Sequence, residues 1–139
     1  PKKLFGKNET VLLVEDEEKV RSMARQVLEF HGYSVLEAKD WNEAEQHSER
    51  HSAPIHLLLT DMVMPGVNGR EVYERLAARR QDLKVVYMSG YTETAIVNRG
   101  ILEPGTAFIQ KPFELHVLLS KIREVLDATP DTSPLSRVP

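Results

Sequence analysis

Five side chains able to hold a cation or handle an anionic group each stand at the end of a short apolar run. Glu15 and Asp16 follow "TVLLV", Asp61 follows "IHLLLT", Ser89 closes "KVVYMS" and Lys111 follows "TAFIQ". If those runs are neighbouring strands, three carboxylates, a hydroxyl and an ammonium converge on one rim. Two carboxylates about 5 Å apart repel by roughly 3 kcal/mol at an effective dielectric near 20, so three together call for a cation. Oxygen donors beside a solvent-open rim suit Mg²⁺, which keeps several waters, with Mn²⁺ as a substitute. Each residue alone has a plainer explanation. Glu15, Asp16, Glu17 and Glu18 are favourable charge at a helix N-terminus, Asp61 before "MVMPG" fits a turn, Ser89 with Gly90 fits a loop, and Lys111 fits a solvated lysine. Helix capping accounts for the acids but does not call for Ser89 and Lys111 at the same rim.

The elements that must position these residues are written in the hydrophobic pattern. Runs at Thr10 to Glu15, Ser34 to Ala38, Ile55 to Thr60, Lys84 to Ser89 and Thr106 to Gln110 are mostly apolar on consecutive residues. That suits strands covered on both faces, as in a parallel sheet, with the weak second run as an edge. Between the first two runs, Val20, Met23, Ala24, Val27 and Leu28 put one apolar stripe on a helix from Glu17 to Phe30, with Asp16 as N-cap and Gly32 as stop. Asp40 with Glu43 makes a capping-box pattern for a second helix. A third spans Gly69 to Arg80, a short fourth Glu93 to Arg99, and a fifth carries Leu115, Leu118, Leu119, Ile122, Val125 and Leu126 at helical spacing. Five strands alternating with five helices specify an α/β fold, a doubly wound parallel sheet with helices on both faces. Such sheets bind ligands beyond the carboxyl ends of their strands.

Composition narrows the function. With 139 residues, 41% apolar and 28% charged, the chain suits one globular domain and is too short for two ordinary ones. Its 18 basic against 21 acidic side chains leave a net charge of -3, which excludes a nucleic-acid footprint. The absence of cysteine excludes a disulfide scaffold, a thiol nucleophile and Cys-based metal sites. No run approaches the roughly 20 apolar residues of a membrane span, and no signal peptide is visible. The domain is expected over residues 9–127, preceded by an extension over 1–8 and followed by a Pro-rich tail or linker stub over 128–139. A chain that opens on Pro1 reads as a processed or excised piece.

In order and spacing, "LLVEDEE", "LLLTDMVMPGVNG", "VVYMSGY" and "AFIQKPF" together resemble the receiver domain of two-component response regulators, the CheY-like family. The resemblance covers about Glu9 to Asp127. It implies the flavodoxin-like strand order 2-1-3-4-5 known for such receivers. It also implies that Asp61 is the phosphoacceptor, taking the phosphoryl group of a kinase phosphohistidine to form an aspartyl phosphate. Asp16, Asp61 and the backbone carbonyl of Val63 would ligate Mg²⁺, and Glu15 would hold a metal-bound water. Ser89 and Lys111 would bind phosphoryl oxygens, and the Lys111–Pro112 bond would be cis. Phe108 would be the switch aromatic, altering the face made by the fourth helix, fifth strand and fifth helix, through which a homodimer could also form. Three residues depart from the commonest pattern. Glu15 replaces an aspartate, Val63 offers no polar group to orient a hydrolytic water, and Tyr91 is placed to shield the phosphoryl, so self-dephosphorylation is expected to be slow.

Similarity in "MSGYTETAIVNRGILEPGTAFIQKPF" to receivers of hybrid sensor histidine kinases implies a histidine kinase or phosphotransfer protein as partner. It also implies a bacterial cytoplasmic setting, tethered to a membrane sensor in the parent chain but without membrane contact by this domain. A stand-alone receiver is the other reading of the parent. Two further readings differ in class. An aspartyl-phosphate hydrolase of the haloacid-dehalogenase type would carry D-x-D after the first strand, whereas Asp16 is followed by Glu17 and Glu18. An interaction module without phosphorylation would not need the full set of site side chains. His47 and His51 share a helix face but lack a third metal ligand, and His56 fits the third strand.

Overall fold

The computed structural model describes residues 6–90 and 106–128. Five strands are present: β1 (Thr10–Val14), β2 (Ser34–Ala38), β3 (Leu57–Asp61), β4 (Lys84–Ser89) and β5 (Phe108–Gln110). They pair in parallel in the order β2-β1-β3-β4-β5. The helices are α1 (Glu18–Phe30), α2 (Trp41–Arg50), α3 (Gly69–Ala77) and α4 (Leu115–Asp127). The helix expected at Glu93 to Arg99 lies outside the described residues.

Alternation of side chains along each strand sends successive residues to opposite faces, and both faces are covered. Val11, Leu13, Leu57, Leu59, Val86, Met88 and Ile109 pack with Ala24 and Leu28 of α1 and with Leu118, Leu119 and Ile122 of α4. Leu12, Val14 and Leu58 face the other way, against Ala44 of α2 and Val72 and Leu76 of α3. Every residue of β1 and β3 is buried, which is why those runs carry no polar alternation. The thinner β2 is the edge, as expected.

Several local expectations need correcting. Glu17, not Asp16, is the N-cap of α1, and it makes no side-chain cap bond. Asp16 is thereby left free at the strand end. Asp40 caps α2 by accepting from the Glu43 N–H at 3.0 Å, but the Glu43 carboxylate accepts from Lys39 rather than closing a box on Asp40. The complete capping box is at Asn68 and Glu71, opening α3. Gly32 does end α1, with φ +92, a left-handed conformation that favours glycine. The apolar stripes are narrower than their spacing suggests, since Met23 and Leu115 are largely exposed. His56 immediately precedes β3, where its Nδ1 accepts from the Thr10 N–H at 2.9 Å. His47 is spoken for by a 2.7 Å hydrogen bond to the Glu37 carbonyl.

Arginines do two jobs that periodicity concealed. Arg80, expected to end the third helix, lies beyond α3 and reaches across to the C-terminal end of α2, donating to the carbonyls of Ser48, His51 and Ala53. Arg123 is buried in α4 and binds Glu9 through Nη1 and Nη2, at 3.0 and 2.7 Å, together with Asp127 and the Tyr33 hydroxyl. The guanidinium holds Glu9 below its ordinary carboxylate value of 4.5. Because the folded-state pKa is lowered, this contribution is complete above pH 4.5 and disappears as pH falls through the lower folded value. Arg123→Ala leaves the partly buried Glu9 carboxylate without its guanidinium partner. It is expected to cost about 2–3 kcal/mol in urea unfolding at pH 7, below the fully enclosed limit because Asp127 is largely exposed. The deficit should be constant down to about pH 4.5 and shrink below it.

Candidate functional site

All the parallel strands end at the same edge of the sheet, so residues one step past each strand meet there. Glu15 follows β1 and is completely buried, whereas Asp16 beside it is exposed. Asp61 is the last residue of β3 and is buried. One carboxylate oxygen from each of Glu15, Asp16 and Asp61 lies within 4.8 Å of the others. Lys111, directly after β5, puts Nζ 2.7 Å from Glu15 Oε1 and 3.0 Å from Asp61 Oδ1.

Main-chain contacts hold these groups in place. The Met62 N–H donates to the Met88 carbonyl at 2.8 Å, extending β3 against β4 past Asp61. The Lys111 N–H donates to the Ser89 carbonyl at 2.6 Å, and the Lys111–Pro112 bond is cis, as expected. The loop from β1 into α1 is fastened twice at Glu15. Arg21 Nη1 donates to its carbonyl at 2.8 Å, and its Oε2 accepts from the Glu17 N–H at 3.1 Å. Arg21 was invisible to motif reading, because its partners are a main-chain oxygen and, at 3.2 Å, Glu37 from another strand.

The charges do not balance. Two buried carboxylates share one ammonium, and Asp16 adds a third acid at the rim. Burial, and then the neighbouring Glu15 charge, push the Asp61 pKa from 3.8 up to about 8 against the pull of Lys111. Burial alone would lower Lys111, but its pairing with Glu15 and Asp61 raises it above the ordinary lysine value. A group of oxygen donors, two buried and one exposed, with surplus negative charge fits a divalent cation such as Mg²⁺.

The other expected site residues are placed as follows. Ser89 is completely buried at the end of β4, and its hydroxyl donates to the Gly90 carbonyl at 3.2 Å rather than to Asp61. Phe108 begins β5, paired with Tyr87, and packs partly buried against Tyr87 and Met62. Val63 is 46% exposed beside the acids. Tyr91 lies outside the described residues.

The family profile of the response regulator receiver domain matches residues 11–123. The chain belongs to the receiver domain family of response regulators. The receiver is 34% identical over 118 residues to the sensor kinase CckA of Brucella abortus (strain 2308), a match covering 85% of this chain and 12% of that protein. It is 31% identical over 118 residues to the response regulator receiver protein CpdR of the same organism, covering 85% of this chain and 97% of that protein. Among solved structures, the receiver domain from the hybrid histidine kinase CckA superposes with a TM-score of 0.70 at 32% identity, covering 85% of this chain and 99% of that one. The receiver therefore spans a small part of its kinase relative and nearly all of a single-domain one.

The raised Asp61 pKa has a measurable consequence for stability in metal-free buffer. Between pH 3.8 and about 8 the folded receiver keeps a proton that the unfolded chain releases. Wild-type stability should therefore fall as pH rises through that window. Asp61→Asn removes the titration. It is expected to melt close to wild type near pH 4 and several degrees higher at pH 8. Saturating Mg²⁺ should erase the gap by stabilising only the wild type.

Proposed function

We propose that this receiver takes a phosphoryl group from a phosphohistidine onto Asp61. The observation that carries the reading is Lys111 bridging Glu15 and Asp61 at 2.7 and 3.0 Å with Asp16 beside them. An Asp61 carboxylate oxygen forms the new bond to phosphorus as the bond from phosphorus to the histidine nitrogen breaks, and that nitrogen retains the electron pair. Phosphoryl transfer needs positioning and charge neutralisation more than covalent help. Asp16, Asp61 and the Val63 carbonyl would hold Mg²⁺ or Mn²⁺, with Glu15 reached through a water, and the bound ion supplies charge neutralisation at the phosphoryl oxygens. Lys111 would pair with one phosphoryl oxygen, and Ser89, whose hydroxyl is otherwise spent on Gly90, would turn to another.

Phe108, against Tyr87 and Met62, would repack when Ser89 turns, altering the surface shared with α4 and with the segment expected at Glu93 to Arg99. The same surface is where a homodimer would form. A shift from 1:99 to 99:1 requires roughly 5.5 kcal/mol of differential stabilisation. A phosphoryl group, which carries about -1.5 to -2 charges and three acceptor oxygens, is of the right kind to supply it. The likeness to CckA supports a histidine kinase or phosphotransfer protein as partner and a hybrid kinase as parent, for which the domain would be cytoplasmic. No described helix is long and apolar enough to cross a membrane.

Intact mass after incubation with acetyl phosphate and Mg²⁺ should show one phosphoryl adduct, absent in Asp61→Asn and in a chelated control. An adduct retained in Asp61→Asn would overturn the assignment. The exposed, apolar Val63 supports slow loss of the adduct. Val63→Asn, which offers a group to orient water, should shorten the adduct lifetime several-fold, as followed by mass against time.

A further inference from the structure

We propose that Gly69 and Thr60 are positioning residues that clamp the main-chain carbonyl of Asp61, one by close approach and one by a hydrogen bond, and so fix where its carboxylate stands. This rests on the phosphoacceptor reading and adds two residues to it. Gly69 is the first residue of α3. Unlike Gly32 and Gly66, it does not have a left-handed backbone, so glycine is not required there for its φ. Helix capping does not require it either, because Asn68 and Glu71 already satisfy that end with a reciprocal box.

The requirement is for space. A Cβ at Gly69 would stand 2.2 Å from the Asp61 carbonyl oxygen, 3.0 Å from its carbonyl carbon and 3.1 Å from Met62 Cα. All three are main-chain atoms, so no flexible side chain can swing aside. The gap would have to open by about 1 Å to reach ordinary contact. The same carbonyl accepts from Thr60 Oγ1 at 3.0 Å, and Thr60 is completely buried. The next peptide is held as well, with the Met62 N–H on the Met88 carbonyl and the Met62 carbonyl accepting from the Gly69 N–H, both at 2.8 Å. A side chain at position 69 therefore displaces either the Asp61 peptide or the loop of residues 62–68. A misplacement of about 1 Å at a reacting group can cost on the order of 10²-fold in rate.

The test compares Gly69→Ala with Asn68→Ala, which removes the cap at the same helix end without adding an atom near Asp61. Two quantities are read on the purified chain: the rate of adduct formation from acetyl phosphate, and the Mg²⁺ concentration giving half of the metal-induced rise in melting temperature. Gly69→Ala should slow adduct formation at least about tenfold and raise that Mg²⁺ concentration several-fold. Asn68→Ala should melt lower but keep both quantities near wild type. Equal behaviour of the two variants, whether both unchanged or both slowed, would overturn the clamp and leave only helix-end stability. If Gly69→Ala does not fold, Thr60→Val carries the test, since it keeps the volume and deletes the hydroxyl. A several-fold slower rate is expected, and a wild-type rate overturns the proposal. No adduct on wild type would sink the phosphoacceptor reading itself, and the Mg²⁺ titration, which needs no transfer, would then decide the clamp alone.

Discussion

One ammonium between two buried carboxylates is the constraint around which the receiver is organised. Burying ionised Glu15 and Asp61 without Lys111 would strand two charges away from water with no cationic partner among the described residues. Even with Lys111, one negative charge remains in excess. In metal-free protein a proton on Asp61 relieves it, and a divalent cation held by the three acids would relieve it instead. The site's own side chains thus supply less positive charge than its acids carry when ionised.

Everything else serves to bring those three groups to one place. Lys111 and Glu15 are far apart in sequence and lie on strands separated by two others, so their contact depends on the register of the whole sheet. The parallel arrangement guarantees that strand ends coincide, and burial on both faces fixes register, because a slip of one residue would exchange the two cores. The hydrogen bonds that continue past the strands, at Met62 and Lys111, carry that register into the loops where the chemistry is placed.

Strands buried on both faces announce themselves by unbroken apolar runs, so the sheet and the acids at its rim were legible in the sequence. "TVLLV" and the leucines before Asp61 admit little else. Less legible was anything whose partner is a main-chain atom or lies far away in sequence. Arg21, Arg80 and Arg123 look alike as basic residues on helices. One fastens the Glu15 carbonyl, one ends a neighbouring helix, and one, itself buried, pairs with Glu9 and Asp127. Asp16 was misread as a cap because acids at a strand end and at a helix start occupy the same two or three positions. Gly69 gave no signal at all, since a glycine needed for space looks the same in a sequence as one needed for its backbone angles.

The Arg123 cluster also decides how the domain meets the rest of any polypeptide that carries it. Glu9 precedes β1 and Asp127 ends α4, and one guanidinium joins them. Lys84 at the start of β4 holds the carbonyls of Leu126 and Ala128. Entry and exit are therefore stitched together at the edge of the sheet where its strands begin, opposite the rim where they end. Such a domain behaves as a plug-in module: it can be spliced between other segments without its ends having to travel.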